Sequence, residues 1–233
     1  LLNDPPRERA EGSEMFVSLE TIQQQADIIT LHVPLNLKGE DATFHLGNDS
    51  FFGALQRKPI LINSCRGEVV NTQAVKAALK NSNISAFVCD CWENEPNLDL
   101  ELLALTELAT PHIAGYSKDG KATGTLMSVQ AISQFFNLGL DDWQPTGVEL
   151  PSNPLIDING EGLSEQEILS KAVLATYDIR NDDKNLRENV SQFEQQRGDY
   201  PTRREFPAYT VRATNVEDKT LLILENLGFK IEI

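Results

Sequence analysis

Long hydrophobic runs are missing from these 233 residues. No stretch approaches the roughly 18 consecutive apolar residues that a membrane-spanning helix needs, so no membrane partner is expected. Positive charge is scarce: 20 Lys and Arg stand against 35 Asp and Glu, a net charge of −15. Such a field repels phosphate backbones, so no nucleic-acid partner is expected, and a small anionic substrate needs a few cations gathered at one place. Cysteine is rare and odd in number. The three, Cys65, Cys89 and Cys91, lie inside apolar segments rather than in loops, which argues against a disulfide framework and for the reducing cytoplasm. Cys89 and Cys91 form a C-x-C pair on one face of a strand, but a fourth ligand is absent and buried free thiols are common, so no metal is expected. The opening residues, Leu1 to Pro6, lack the basic and apolar regions of a signal peptide. They read as the end of a strand, as though the chain begins in mid-fold.

What is present is alternation. Ile28 to Val33 reads as a strand stopped by Pro34, and Ile60 to Asn63 as a strand covered on both faces. Asn71 caps a helix from Thr72 to Lys80, and Ala86 to Cys89 and Leu108 to Thr110 are further strands. Strands alternating with helices at this spacing predict a parallel sheet flanked by helices, an α/β fold of the doubly wound kind. A long helix follows from Lys118 to Phe136, with Leu126, Val129, Ile132, Ser133 and Phe136 on one side. Gly139, Pro145, Gly147 and Pro151 then mark a linker. Beyond it, strands Leu155 to Ile158, Tyr209 to Ala213 and Phe229 to Ile233 surround a helix opened by the capping box Ser164–Glu167 and another from Glu217 to Leu227. The division is 1–116 for the sheet domain, 117–150 for helix and linker, and 151–233 for a small α+β domain. Two or three short strands are too few to bury their apolar faces unaided, which makes Leu222, Leu224 and Phe229 candidates for a shared core or interface, and a homodimer the expected assembly.

Chemistry gathers at the C-terminal ends of the sheet's strands, where open parallel sheets bind ligands. Four successive strand ends carry His32-Val33-Pro34, Arg66-Gly67, Asp90 followed by Glu93-Asn94-Glu95-Pro96, and Pro111-His112. Arg66 suits bidentate capture of a carboxylate, or else an ion pair with Glu68. Glu93 and its neighbours read by themselves as a solvated acidic loop. Glu95 paired with His112 makes a general acid/base couple, the carboxylate stabilising imidazolium. An Arg, Glu, His set with neither metal nor nucleophile suits hydride transfer at a hydroxyl-bearing carbon when a nicotinamide is present.

Asp4-Pro5-Pro6-Arg7, Ile62-Asn63-Ser64-Cys65-Arg66-Gly67, Asp90-Cys91-Trp92-Glu93-Asn94-Glu95-Pro96 and Thr110-Pro111-His112-Ile113-Ala114-Gly115-Tyr116 together resemble the D-isomer-specific 2-hydroxyacid dehydrogenases. The Cys before Arg66, Asp4-Pro5-Pro6-Arg7, Gly-Tyr after His112, and the appended domain with Tyr177-Asp178-Ile179-Arg180 are similar to the branch acting on 4-phosphoerythronate. The resemblance implies a Rossmann-type sheet plus a C-terminal dimerisation domain, and NAD as cofactor. It implies Arg66 and Glu95 as catalytic residues and His112 as proton donor and acceptor. It also implies Asp4 on the adenosine ribose, Asp90 on the nicotinamide carboxamide, Val33 and Gly115 beside the cofactor, and Tyr116 on the substrate. Many relatives have Thr where Val33 stands, so only its backbone can hydrogen-bond there. An acidic residue at Asp4 agrees with selection of NAD over NADP.

The family's Gly-rich G-x-G-x-x-G turn and substrate-binding half do not occur in these residues, so this stretch, as a C-terminal portion, is expected to be inactive alone. Other readings are a dehydrogenase of another substrate such as 3-phosphoglycerate, and a nicotinamide-sensing corepressor-like binding module. The substrate's phosphate needs a cation besides Arg66. Arg203, in the doublet Arg203-Arg204, is the candidate, reaching the neighbouring subunit's active site; a surface pair with Glu205 or Asp199 is the plainer alternative.

Overall fold

The computed structural model describes residues 1–232. Its elements run α1 (Pro5–Glu11), α2 (Leu19–Gln25), β1 (Ile28–Leu31), α3 (Asp49–Gly53), β2 (Ile60–Asn63), α4 (Thr72–Lys80), β3 (Ala86–Cys89), α5 (Leu100–Leu105) and β4 (Leu108–Ala109). They continue with α6 (Lys118–Phe136), β5 (Leu155–Asn159), α7 (Glu165–Thr176), α8 (Arg180–Glu188), α9 (Phe193–Gly198), β6 (Thr210–Thr214), α10 (Asp218–Asn226) and β7 (Lys230–Glu232). The chain folds as two units: residues 1–113 with 180–198, and residues 114–179 with 199–233.

The first unit is a four-stranded parallel sheet in the order β1-β2-β3-β4. Consecutive parallel neighbours need a crossover each time, and α3, α4 and α5 lie in those crossovers. Leu61, Phe87 and Ala109 on three adjacent strands are fully buried, with Val69 and Val75 packed in the same core. One face of β2 is buried and the other half-covered. At α4 the sequence reading and the structure coincide: Asn71 accepts from the amide of Ala74, and the helix ends at Lys80.

Arg180–Gly198, which the sequence placed with the second domain, packs in the first unit. Leu186 and Phe193 enter its core. The Asp183 carboxylate accepts from the amide of Ala109 at 2.7 Å, on the outer edge of β4, and Arg187 donates to the carbonyls of Leu103 and Thr106 at 2.7 and 2.8 Å. The Ala109 amide that an edge strand would leave bare, and two carbonyls at the C-terminal end of α5, are thereby satisfied by α8.

The second unit holds β5-β6-β7, all parallel, where an α+β arrangement was expected. Helices intervene between its strands, so it too is built from crossovers. It closes a core of its own around Ile156, Ile158, Val211, Ala213 and Leu224. Leu224 and Phe229 are buried inside it, and of the three interface candidates only Leu222 is exposed. The capping box forms as expected, with Ser164 and Glu167 each accepting from the other's backbone amide. Helix α6 has the expected ends, but Ile132 and Phe136 of its apolar side are exposed. Ser133 is buried because its hydroxyl ties the helix to the following turn, donating to Asp141 and accepting from the amide of Leu140. The expected strand end at Ile233 lies outside the described residues.

Candidate active site

The first unit's strand ends are joined by side-chain hydrogen bonds that begin at Asn63, a buried amide closing an otherwise apolar strand. Its nitrogen donates to the carbonyls of Arg66 and Cys91 at 3.0 and 3.2 Å, and its oxygen accepts from the amide of Cys65. The β2 and β3 loops are thus tied together where they leave the sheet. Gly67 packs against the second loop so tightly that a Cβ would stand 2.0 Å from the carbonyl oxygen of Trp92. Only glycine fits there. Arg66, immediately before it, is exposed, and its guanidinium donates to the carbonyl of Cys65. No ion pair with Glu68 forms among the described residues.

Asp90 directly follows β3 and is almost fully buried. Its Oδ1 accepts from the Thr110 hydroxyl and from the amide of Ile113, each at 2.7 Å. Trp92 adds an indole N–H to the carbonyl of Thr110 at 2.9 Å. These bonds clamp the turn that carries His112, whose φ of +56° places a non-glycine residue in the left-handed region. A strained backbone held by surrounding bonds is what a positioned side chain needs.

Glu95 is held from behind and faces His112. Its Oε1 accepts from the amide of Trp92 at 2.7 Å, and its Oε2 contacts Nδ1 of His112 at 2.8 Å. With Nδ1 donating to a carboxylate, Nε2 is the nitrogen left to exchange a proton with a ligand. The Glu95 hydrogen bond raises the His112 pKa above its ordinary 6.5; partial burial opposes this, the charges of Glu95 and Asp90 assist it, and Arg197 weakly counters it.

The acidic loop is not simply solvated. Glu93 accepts from Nε2 of His45 at 2.6 Å and from the amide of Thr72, the first residue of α4, at 3.0 Å. Sequence reasoning missed this second His–Glu pair because its members are 48 residues apart with no shared local pattern. Asn63 did leave a signal, as a polar residue at the end of an apolar run.

Asp4 is half-buried and caps α1, its Oδ1 accepting from the amide of Arg7 at 3.2 Å. Val33 lies two residues past β1 and packs on the first unit's core. The three cysteines are buried and free, burial raises the pKa of each thiol, and no metal-holding cluster occurs among the described residues.

Gly115, Tyr116 and Arg203 belong to the second unit. There Tyr116 packs edge-on against Tyr200 at 5.7 Å, with the Lys121 ammonium 4.1 Å above the Tyr116 ring. The Arg203 guanidinium lies 4.7 Å over Tyr177 and donates to the carbonyl of Ala114 at 3.0 Å. Its neighbour Arg204 forms a two-pronged pair with Asp119 at 2.8 and 2.9 Å, so the two arginines of the doublet have different partners.

Residues 2–114 match the family model described as D-isomer specific 2-hydroxyacid dehydrogenase, NAD binding domain, and residues 150–228 match a domain of unknown function, DUF3410. The chain is 42% identical to an erythronate-4-phosphate dehydrogenase of Porphyromonas gingivalis over 95% of its own length and 60% of that protein's. It is 45% identical to one of Bacteroides thetaiotaomicron (91% and 58%) and 41% identical to one of Proteus mirabilis (98% and 61%). The chain therefore spans about three fifths of the length of these curated relatives. Residues 2–114, the stretch similar to that NAD-binding domain, carry the Arg66, Glu95 and His112 strand ends.

Proposed function

We propose that this chain forms part of an enzyme that oxidises the 2-hydroxyl of 4-phosphoerythronate to the 2-oxo acid with NAD, a step of pyridoxal phosphate (vitamin B6) biosynthesis. The observation that carries this reading is the Glu95–His112 pair at the C-terminal end of a parallel sheet, in the region matched by an NAD-binding family model. The name shared by the relatives supports the choice of substrate.

The residues present fit NAD. A buried carboxylate, Asp90, stands at a strand end, where it would take the nicotinamide carboxamide. Asp4 would accept from the adenosine ribose hydroxyls and repel a 2′-phosphate, with Val33 and Gly115 lining the cofactor. Bound NAD supplies the hydride acceptor. His112 Nε2 takes the hydroxyl proton as the C2–H bond is broken, and returns a proton to the carbonyl oxygen in the reverse direction. Glu95 stabilises the imidazolium so formed, and Arg66 holds the substrate carboxylate and polarises the developing carbonyl. Tyr116 contacts substrate, and Arg203 of a neighbouring copy takes the 4-phosphate.

The assembly in this reading is a cytoplasmic homodimer held through residues 151–233. Exposed Leu222 and the free buried thiols support it. Leu222→Asp, which leaves α8 and α9 in the first unit, should leave a monomer by light scattering; a persistent dimer would contradict the assignment. The function is tested by following NADH formation from 4-phosphoerythronate, 3-phosphoglycerate and unphosphorylated erythronate with the complete gene product. Expected is a clear preference for 4-phosphoerythronate and for NAD over NADP. Faster turnover of 3-phosphoglycerate, or equal efficiency with NADP, would overturn it.

A further inference from the structure

Glu93 stands two residues before Glu95 in the loop after β3, and its side chain is only 17% exposed. Both of its carboxylate oxygens are engaged, one by His45 and the other by the first amide of α4. A helix N-terminus favours an anion there, and donors from Thr72 and His45 outweigh burial to hold the Glu93 carboxyl below its ordinary pKa. Glu93 is therefore a charged anchor.

His45 is fixed with equal care. Its backbone amide donates to the carbonyl of Glu68 at 2.8 Å, its ring stacks on Phe44 at 3.9 Å, and Nδ1 faces the Asn71 amide nitrogen at 3.4 Å. Its φ of +52° is, like that of His112, in the left-handed region. Glu68 follows Arg66 by two residues, so one residue, His45, links the turn carrying Arg66 through its backbone amide to the loop carrying Glu95 through its imidazole. The amide that orients Glu95 belongs to Trp92, directly before Glu93, and the Trp92 carbonyl packs on Gly67. Movement of Glu93 would be transmitted to the Trp92 peptide and so to the Glu95 carboxylate.

We propose that Glu93 and His45 form a positioning pair, which clamps the loop Trp92–Glu95 against the Arg66 turn and so holds the Glu95 carboxylate on Nδ1 of His112. The pair touches none of the proposed reacting atoms and acts through Glu95. This deepens the dehydrogenase reading for the same strand ends, but its first test does not depend on turnover.

The chain has three histidines, so each imidazole can be followed by NMR and assigned by single His→Gln substitutions. Among the described residues, Glu95 bonds the His112 ring, and the charges of Asp90 and Arg197 also act on it. Glu93→Ala removes both anchors without altering any of these three. The His112 titration should then move down toward the ordinary histidine value, and kcat should fall about 10- to 100-fold, as expected for misplacement near 1 Å. Glu93→Gln, which can still accept from Thr72, should recover part of both effects. An unchanged His112 titration and unchanged kcat in Glu93→Ala would overturn the proposal, even if Tm drops. Should Glu93→Ala not fold, Glu93→Gln and His45→Gln decide the matter: a smaller downward move supports the clamp, and no move overturns it. If the wild-type protein proves to lack dehydrogenase activity, the function fails while the titration still reports on the clamp.

Discussion

Both units are parallel sheets with helices in their crossovers, yet among the described residues a His–Glu pair stands at the strand ends of the first and not of the second. In the second unit the loops after β5 and β6 close on each other. Asn215 donates to the Asn159 side chain at 3.0 Å, the amide of Gly160 donates to the carbonyl of Thr214, and a Cβ on Gly160 would stand 2.5 Å from the carbonyl oxygen of Asn215. In the first unit the loops are also tightly bonded, through Asn63, Gly67, Asp90 and Trp92, yet Arg66 stays exposed and the Glu95 bond to His112 uses Nδ1, not Nε2. Arg66, Glu95 and His112 stand on that support. A parallel sheet offers a position for a site, and the side chains its loops leave presented decide whether the position can be used.

The sharpest way to break this contrast is at His112. His112→Ala should lower turnover by about 10²–10⁴-fold with NADH binding nearly unchanged; wild-type turnover would contradict the proposed role. A paired glycine substitution sharpens it further. Gly67→Ala pushes the Trp92 loop away and should lower kcat by about 10²-fold. Gly160→Ala also meets backbone, at 2.5 Å, but should lower Tm and leave kcat near wild type. Equal effects on kcat would mean that the two sets of loops are not functionally distinct.

Within the second unit, Arg203→Ala should raise KM for 4-phosphoerythronate about 10- to 100-fold, matching the ~1.5–3 kcal/mol of a hydrogen bond to a charged group. It should barely alter activity on the unphosphorylated analogue. An unchanged KM would leave Arg203 as a cation packed on tyrosines. The smallest effect expected is on stability. The His112 pKa is raised in the folded protein, so its pair with Glu95 stabilises below the unfolded value of 6.5 and loses that contribution as pH rises through the folded pKa. Glu93 is lowered, so its contribution is present above 4.5 and lost as pH falls. Thermal melts of Glu95→Gln should differ from wild type mainly on the acid side of neutrality, and those of Glu93→Gln mainly above pH 4.5.

Much of the first unit was legible because apolar runs and caps are local signals: β2, α4 and β3 end where Ile60–Asn63, Thr72–Lys80 and Ala86–Cys89 end in the sequence. The Glu95–His112 contact was legible because each residue follows a strand in a recognisable motif. His45–Glu93 was not, since nothing near His45 announces a partner across two crossovers. Nor was the docking of α8, whose apolar content is little more than Leu186 and whose attachment runs through Asp183 and Arg187 to backbone groups of β4 and α5. The parallel order of β5, β6 and β7 escaped because strand direction depends on how the intervening chain travels, not on strand composition.

The pH dependence of kcat/KM for 4-phosphoerythronate oxidation, in wild type and in Glu95→Gln, tests most directly whether His112 is the base and Glu95 its partner. Oxidation needs His112 unprotonated, so wild-type activity should rise with pH through a value above 6.5, the ordinary histidine value that the Glu95 hydrogen bond raises. In Glu95→Gln that rise should move to lower pH while the plateau falls. An ascending limb at the same pH in both proteins would show that the titrating base is not His112 held by Glu95.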